Sequence, residues 1–576
     1  MLWPVLVVQL AIIAVSTGVR LSLLVSAPVG GAVLVPSEMH ANSMLFFHQD
    51  LPVAVLVAVC CAVLWFWLCR FAVPRFELPR WTSGRAGTAL VALLALALCW
   101  AAGVYAHLGH DLAGDEFMAA FQARIFAAGW LLAPLDPEWA SFARVLQPYF
   151  VHVDEVRGLW ASAYRPGHAL LRAVALLAGA EPLLNPVLAA GSVLLLAHIA
   201  RRIFPDRPAA PLLAAALLPA SPQFVLMAGS GFSFTAHLFF ALLWLALFLR
   251  SDLRGHAGAA LVGAFAIGLH QVHVHPLFAA PFLLAHLFGH YGRSPASLGL
   301  YALAYGLAIP AWIAWPEIAT AIQTGDFSVL PHTLGETAYL RNYAEFARAR
   351  QQVWAGIILH EMPVNLLRFA AWISPALVML ALMALRGLRD LPLTVRLAGL
   401  GFLLMVVAHA VLMPFQIQGW GYRYVHPVLG NLVLLAVAGL PQAGVDRARA
   451  GLATGVLLGV SMLVLMPWRF AQVEERIRPR AEAGAFIASL DADIVLVEAD
   501  VVWFGDDLVR NDPLLRNRPL VMAAPLLTAT QRTALEGQRV VVVGPAELAP
   551  FGIGSGTWAE PIRQPPESRP ADVSAR

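Results

Sequence analysis

About 13 stretches of this sequence are apolar for long enough to cross a bilayer as helices, which takes about 20 residues each. They lie near 4–26, 51–73, 87–106, 186–204, 208–225, 231–250, 257–274, 276–292, 297–315, 364–385, 396–414, 425–440 and 451–467. Hydrocarbon offers no hydrogen-bond partner, so a chain with this pattern must satisfy its backbone within helices. Composition agrees. Of 576 residues 59% are hydrophobic and 13% are charged, about half the charged share of a soluble domain. The fold class that follows is an all-α polytopic membrane domain with surface helices beside it, over 1–467.

The basic residues are all arginine, and their placement orients the spans. Arg70, Arg75, Arg80 and Arg85 cluster after the second span. Arg201, Arg202 and Arg207 follow, then Arg250 and Arg254, Arg293, Arg386, Arg389 and Arg396, and finally Arg447 and Arg449. The positive-inside rule places all of them in the cytoplasm together with the N-terminus, provided the apolar piece 168–180 lies on the surface. The expected location is a bacterial cytoplasmic (inner) membrane. The loops 107–185 and 316–363, and everything after about 468, then face the periplasm. Met-Leu-Trp-Pro at the start lacks a basic n-region, which predicts a retained span.

The tail changes character. It reads as a helix (Glu474–Leu490), a strand (Ile494–Val497), a polar loop through Asp506 and Asp507, and strands at Leu520–Met522 and Val540–Val543 with a helix between. That alternation predicts a small C-terminal α/β domain, extracytoplasmic, over 468–560, with a Pro/Ser/Arg-rich 561–576 expected to be disordered. The dispersed arginines exclude a nucleic-acid stripe. Cys60, Cys61, Cys69 and Cys99 all fall in apolar segments and read as small hydrophobes.

Polar chemistry gathers on the outer side. Asp115 and Glu116 follow the span 87–106 and open an amphipathic pattern, Phe117 to Gly129, suited to the membrane surface. A carboxylate held there is placed to deprotonate an acceptor hydroxyl beside a lipid-borne substrate. The pair reads equally as acids answering the dipole of a helix start. In the same loop His152, Asp154 and Glu155 offer ligands for a divalent metal ion, or a solvated face. Arg165 in Tyr164-Arg165-Pro166-Gly167-His168 offers a phosphate partner. Between two spans stands Gln418-Gly419-Trp420-Gly421-Tyr422-Arg423-Tyr424. Arg423 is an outer arginine against the charge rule, so it calls for an anion such as a lipid phosphodiester, or else snorkels to headgroups. His270, His273 and His275 alternate at the outer end of another span and suit phosphate contact, metal, or satisfied interior histidines. Arg20, inside the first span, pairs internally or snorkels.

The order is a span, then Gly114-Asp115-Glu116-Phe117 opening an amphipathic helix. Next come Tyr164-Arg165-Pro166-Gly167-His168 before a second surface helix, and a span ending Ala200-Arg201-Arg202. It resembles the C-type superfamily of membrane glycosyltransferases, which includes the protein O-mannosyltransferases and the aminoarabinose transferase of lipid A. The resemblance covers about 87–440. It implies a polyprenyl-phosphate sugar donor within the membrane lipid, an outward-facing site, and transfer to a glycan, lipid or protein acceptor. Asp115 matches the loop carboxylate proposed as base, with Glu116 its neighbour. Arg165-Pro166 falls where the family often has Lys-Pro-Pro or Tyr-Pro-Pro. Arg423, Arg165, His270 and His273 are the candidates for the donor phosphate, and His152, Asp154, Glu155, His168 and Tyr422 for other outer contacts. Three departures stand out: two extra spans precede the usual first one, histidines replace a basic residue near 270, and the tail differs. The rival readings are a transporter or flippase for lipid-linked sugars or small molecules, which predicts an internal repeat and broken helices near the midplane, neither of which the sequence shows, and a non-catalytic scaffold.

Overall fold

The helices are what the apolar runs require, but not all of them are long. In this computed structural model residues 2–26, 45–71, 84–292, 294–351, 354–416, 418–441, 444–502 and 504–553 are described. Arg75, Arg80, Arg293 and the segment 561–576 lie outside the described residues. Among the described residues seven helices are long and apolar enough to cross a membrane: Trp3–Ser22, Phe46–Arg70, Arg85–Ala106, Glu181–Ile203, Pro295–Ile313, Leu393–Leu412 and Val445–Ser489.

Two more apolar stretches are broken, against the sequence expectation of unbroken helices. Ala210–Leu217 and Pro222–Gly229 meet at 59°, and Trp354–Trp372 and Pro375–Asp390 meet at 110°. Each second half begins on a proline, which supplies no N–H and so starts a helix more readily than it continues one. The runs read as spans at 231–250, 257–274 and 276–292 form shorter helices, Phe234–Phe248, Leu253–Ile267 and Val274–Leu287. The piece expected on the surface becomes the helix Gly167–Leu177.

The described residues form two compact units. The first holds 1–132 and 161–475, and the second holds 133–160 and 476–576. In the first, close crossings rest on small residues. A Cβ on Gly229 would stand 2.7 Å from the Ala102 Cβ and 2.8 Å from the Gly103 nitrogen, so the Arg85–Ala106 helix and the broken pair approach backbone to backbone.

The second unit takes the middle of the first long loop together with the tail. Strands β1 (Ala133–Pro134), β2 (Val151–Asp154) and β3 (Leu159–Ser162) form one sheet in the order β1-β3-β2. Strands β4 (Ile494–Val497), β5 (Leu520–Ala523) and β6 (Val540–Val543) form a parallel sheet in the order β5-β4-β6. Val495, Val497, Val521 and Val543 pack with Ile487 into its core. Asn511 joins the two stretches of chain, donating to the Leu146 and Val521 carbonyls at 2.8 Å each.

Candidate active site

The site begins where the Arg85–Ala106 helix ends and Gly114–Ala127 starts, with Asp115 and Glu116 in its first turn. Glu116 is 1% exposed. Its Oε2 accepts from the Leu112 N–H at 3.0 Å and the Ala113 N–H at 3.3 Å, and its Oε1 accepts from the Gly231 N–H at 3.1 Å. One oxygen closes the start of its own helix, and the other pins the turn ahead of Phe234–Phe248. Burial, with Asp111 and Asp115 nearby, lifts this carboxyl well above the usual carboxylate range against the pull of the Ala113 and Gly231 N–H groups.

Asp115 points elsewhere. Its Oδ2 lies 3.0 Å from Nη1 of Arg423, and the Arg423 and Asp115 side chains are 12% and 13% exposed. The guanidinium is wrapped in rings, 5.1 Å from the Phe232 centroid, 5.9 Å from Phe234 and 5.1 Å from Tyr424. Cation–π attraction of this kind strengthens as water is excluded. Arg423 Nη2 donates to the Tyr424 hydroxyl at 3.3 Å. Among the described residues its Nε and Nη1 have no hydrogen-bond partner, although Nη1 lies 3.0 Å from the carboxylate. A buried guanidinium with idle N–H groups is a ready receptor for a second, planar or tetrahedral anion.

The turn that presents Arg423 is held by two glutamines. Gly419 and Gly421 have φ of 115° and 66°, a region where a side chain is strained, so both glycines are needed for the chain to reverse. Gln223 donates from Nε2 to the Tyr422 carbonyl at 3.0 Å and accepts the Tyr422 N–H at 3.2 Å. Gln416 donates to the Gly421 carbonyl at 2.6 Å and accepts the Arg423 N–H at 2.8 Å. Neither glutamine was singled out from sequence. Gln223 is a neutral amide inside the apolar run 208–225, a signal that could have found it, whereas Gln416 stands just past the run ending at 414 and carries no such mark.

The other predicted residues divide. His270 stacks on Tyr164, centroids 4.1 Å apart, with Phe234 at 6.4 Å. Tyr164 is within electrostatic reach of both Asp115 and Arg423. A cavity of about 10 Å³, room for about one water, lies beside them, lined by Gln122, Ser162, Tyr164, Arg165 and His270. His273 Nε2 meets His409 Nε2 at 3.3 Å, and His409 stacks on Tyr424 at 4.9 Å. Tyr422 is fully buried, its hydroxyl on the Met362 sulfur at 3.8 Å.

Arg165 is turned to the protein. Its Nη atoms donate to the carbonyls of Trp312 and Ala163, at 3.1 and 2.6 Å, and its guanidinium covers the Tyr339 ring at 4.4 Å. Burial holds it down to about 10. His168 meets the Asn185 amide at 3.4 Å, and Asn185 in turn donates to the Ser230 and Phe232 carbonyls at 2.8 and 3.0 Å. His168 therefore supports the turn bearing Phe232.

His152, Asp154 and Glu155 belong to the second unit, where Asp154 accepts from the Arg157 N–H and Nη1 at 3.0 Å each. Among the described residues no group of three or more His, Cys, Asp or Glu side chains is placed to hold a metal ion. Asp115 and Glu116 are engaged instead by arginine and by backbone N–H groups.

No protein-family profile matches this chain, and no curated protein does. Solved structures do. ArnT from Cupriavidus metallidurans bound to undecaprenyl phosphate is 15% identical with a TM-score of 0.43, over 81% of this chain and 88% of that one. The archaeal oligosaccharyltransferase AglB from Archaeoglobus fulgidus, in complex with an inhibitory peptide and a dolichol-phosphate, is 11% identical with a TM-score of 0.42, over 80% and 70%. The arabinofuranosyltransferase AftD from Mycobacteria is 15% identical with a TM-score of 0.39, over 82% of this chain and 32% of that one.

Proposed function

We propose that this chain is an integral-membrane glycosyltransferase that moves a sugar from a polyprenyl-phosphate donor to an acceptor on the extracytoplasmic face of a bacterial inner membrane. The observation that carries the reading is the meeting of Asp115 and Arg423 at 3.0 Å, from distant parts of the chain, beside guanidinium N–H groups without partners among the described residues. An acid and a phosphate receptor side by side, each with a small exposed fraction, are the two groups that glycosyl transfer from a lipid phosphate requires.

The chemistry follows from the pair. The donor phosphate approaches the idle edge of Arg423 and competes with Asp115 for the guanidinium, which frees the carboxylate. Asp115 then takes the proton of the acceptor hydroxyl as its oxygen attacks the anomeric carbon. The bond from that carbon to the phosphate oxygen breaks, and the electron pair stays on the polyprenyl phosphate, where Arg423 stabilises it. The sugar changes anomeric configuration. Glu116 takes no proton in this scheme; it holds Asp115 in register.

The test uses membranes carrying the full chain and a panel of labelled polyprenyl-phosphate sugars, read for a glycosylated product. Asp115→Asn should lower turnover by about 10²–10⁴, the usual worth of a positioned proton acceptor. The same variant should bind a polyprenyl monophosphate at least as tightly as the wild type, because the competing carboxylate is gone. Undiminished transfer by Asp115→Asn would refute the assignment. Movement of the labelled lipid across the membrane with no product formed would favour the transporter.

A further inference from the structure

A second set of charges lies outside this site, buried among the apolar helices. Asp50, at the start of Leu51–Arg70, is 1% exposed. Its Oδ2 accepts from Arg368 Nε at 2.8 Å, its Oδ1 accepts from Trp372 Nε1 at 2.7 Å, and Arg469 Nη2 stands 3.9 Å away. A carboxylate in an apolar setting is retained only when it is well paired. The pairing alone does not explain it, since well-packed apolar side chains stabilise such a position equally well.

Both partners of Asp50 lead to the turn that carries Arg423. Arg368 Nη1 donates to the Gln416 carbonyl at 3.4 Å. Gln416 is the residue whose side chain accepts the Arg423 N–H at 2.8 Å and donates to the Gly421 carbonyl at 2.6 Å. By the other route, the Trp372 ring lies against Trp420 of the same turn, centroids 6.3 Å apart. Two routes therefore run from one carboxylate to the Gly419–Gly421 reversal, one to Gln416 ahead of it and one to Trp420 at its centre.

We infer that Asp50 is a positioning residue for Arg423. Through Arg368 and Trp372 it fixes Gln416 and Trp420, and so sets where the guanidinium sits. The second helix of the chain, one of the two spans that precede the familiar arrangement, is on this view part of the donor site's scaffold. The inference rests on the reading of Arg423 as the phosphate anchor.

The experiment measures binding of a long-chain polyprenyl monophosphate to the full-length protein in lipid nanodiscs. It compares Asp50→Asn, Gln416→Ala, Arg423→Ala and the double variant Asp50→Asn/Arg423→Ala. Asp50→Asn and Gln416→Ala should each raise Kd by about tenfold, the low end of what loss of a supporting hydrogen-bond partner costs at a preorganised site. In the Arg423→Ala background Asp50→Asn should change Kd no further, because its effect runs through a guanidinium no longer there. Wild-type Kd for both single variants, with Arg423→Ala weakened, would overturn the inference and leave the anchor reading intact. So would an equal effect of Asp50→Asn with and without Arg423, which marks a general role in the fold. An unchanged Kd for Arg423→Ala would overturn the anchor reading itself. If Asp50→Asn fails to accumulate, Gln416→Ala decides alone: it leaves the Asp50 pairs in place, and an unaltered Kd would reject the relay.

Discussion

Two neighbouring carboxylates take opposite tasks because their oxygens meet different partners. Glu116 faces backbone N–H groups of its own helix start and of Gly231, while Asp115 faces a guanidinium. Glu116→Ala leaves three buried donors without an acceptor, at about 1–3 kcal/mol for each buried group so stranded. It should lower the thermal midpoint of the purified protein and its activity together. Asp115→Asn should cost far more in activity than in thermal midpoint, since the amide keeps a polar oxygen beside Arg423; thermal unfolding in detergent separates the two. The acid pair was legible in the sequence because charge after a span is conspicuous, and Arg423 because it opposes the charge rule. Which acid meets the arginine was not legible from the helical pattern, although the family resemblance named Asp115. Adjacent helical residues point about 100° apart, and the contact that decides between them comes from Gly231, far along the chain. Arg165 shows the converse: a guanidinium in a promising motif is claimed by the Trp312 and Ala163 carbonyls, which no local pattern reveals.

Among the elements, apolar runs marked where helices lie but not where they bend. Pro222 and Pro375 sit inside runs that read as continuous, yet each starts a new helix at an angle to the one before. The first helix carries its own tie to one of these broken pairs. Arg20 Nη2 donates to Glu361 Oε1 at 2.7 Å with both side chains fully buried, and Ser16 donates to the Pro363 carbonyl at 2.8 Å. Arg20 thus pairs internally, one of the two roles its place in a span allowed. Removing one charge strands the other, so Arg20→Leu should destabilise by about 3–5 kcal/mol. Arg20→Leu/Glu361→Leu should recover most of that loss, since packed apolar side chains replace such a pair well. Size-exclusion profiles of detergent-solubilised protein after heating would show whether the double variant outlasts the single one.

For the whole molecule, the division into two units cuts through the first long loop, placing 133–160 with the tail. The sequence reading kept 107–185 as one loop because strands of two to four residues, such as Ala133–Pro134, carry no periodicity to read. The second unit holds a titrating group of its own. Burial, with Asp507 and Asp500 nearby, raises the Asp506 carboxyl to about 6 despite a hydrogen bond with Tyr149. The folded state therefore binds more protons than the unfolded chain between about pH 4 and 6, so stability falls as pH rises through that window. Asp506→Asn should flatten the fall and add about 1–2 kcal/mol at neutral pH, after discount for partial exposure. Urea titrations of the wild type and the variant at pH 5 and 7 would show it. If the chain transfers sugar as proposed, the Asp115–Arg423 contact has a last consequence, for the end of that cycle. A site that neutralises itself holds no standing attraction for the spent carrier, because the returning carboxylate reclaims the cation as the phosphate departs. Release of the used lipid is then assisted from within, and turnover need not wait on a tightly held product.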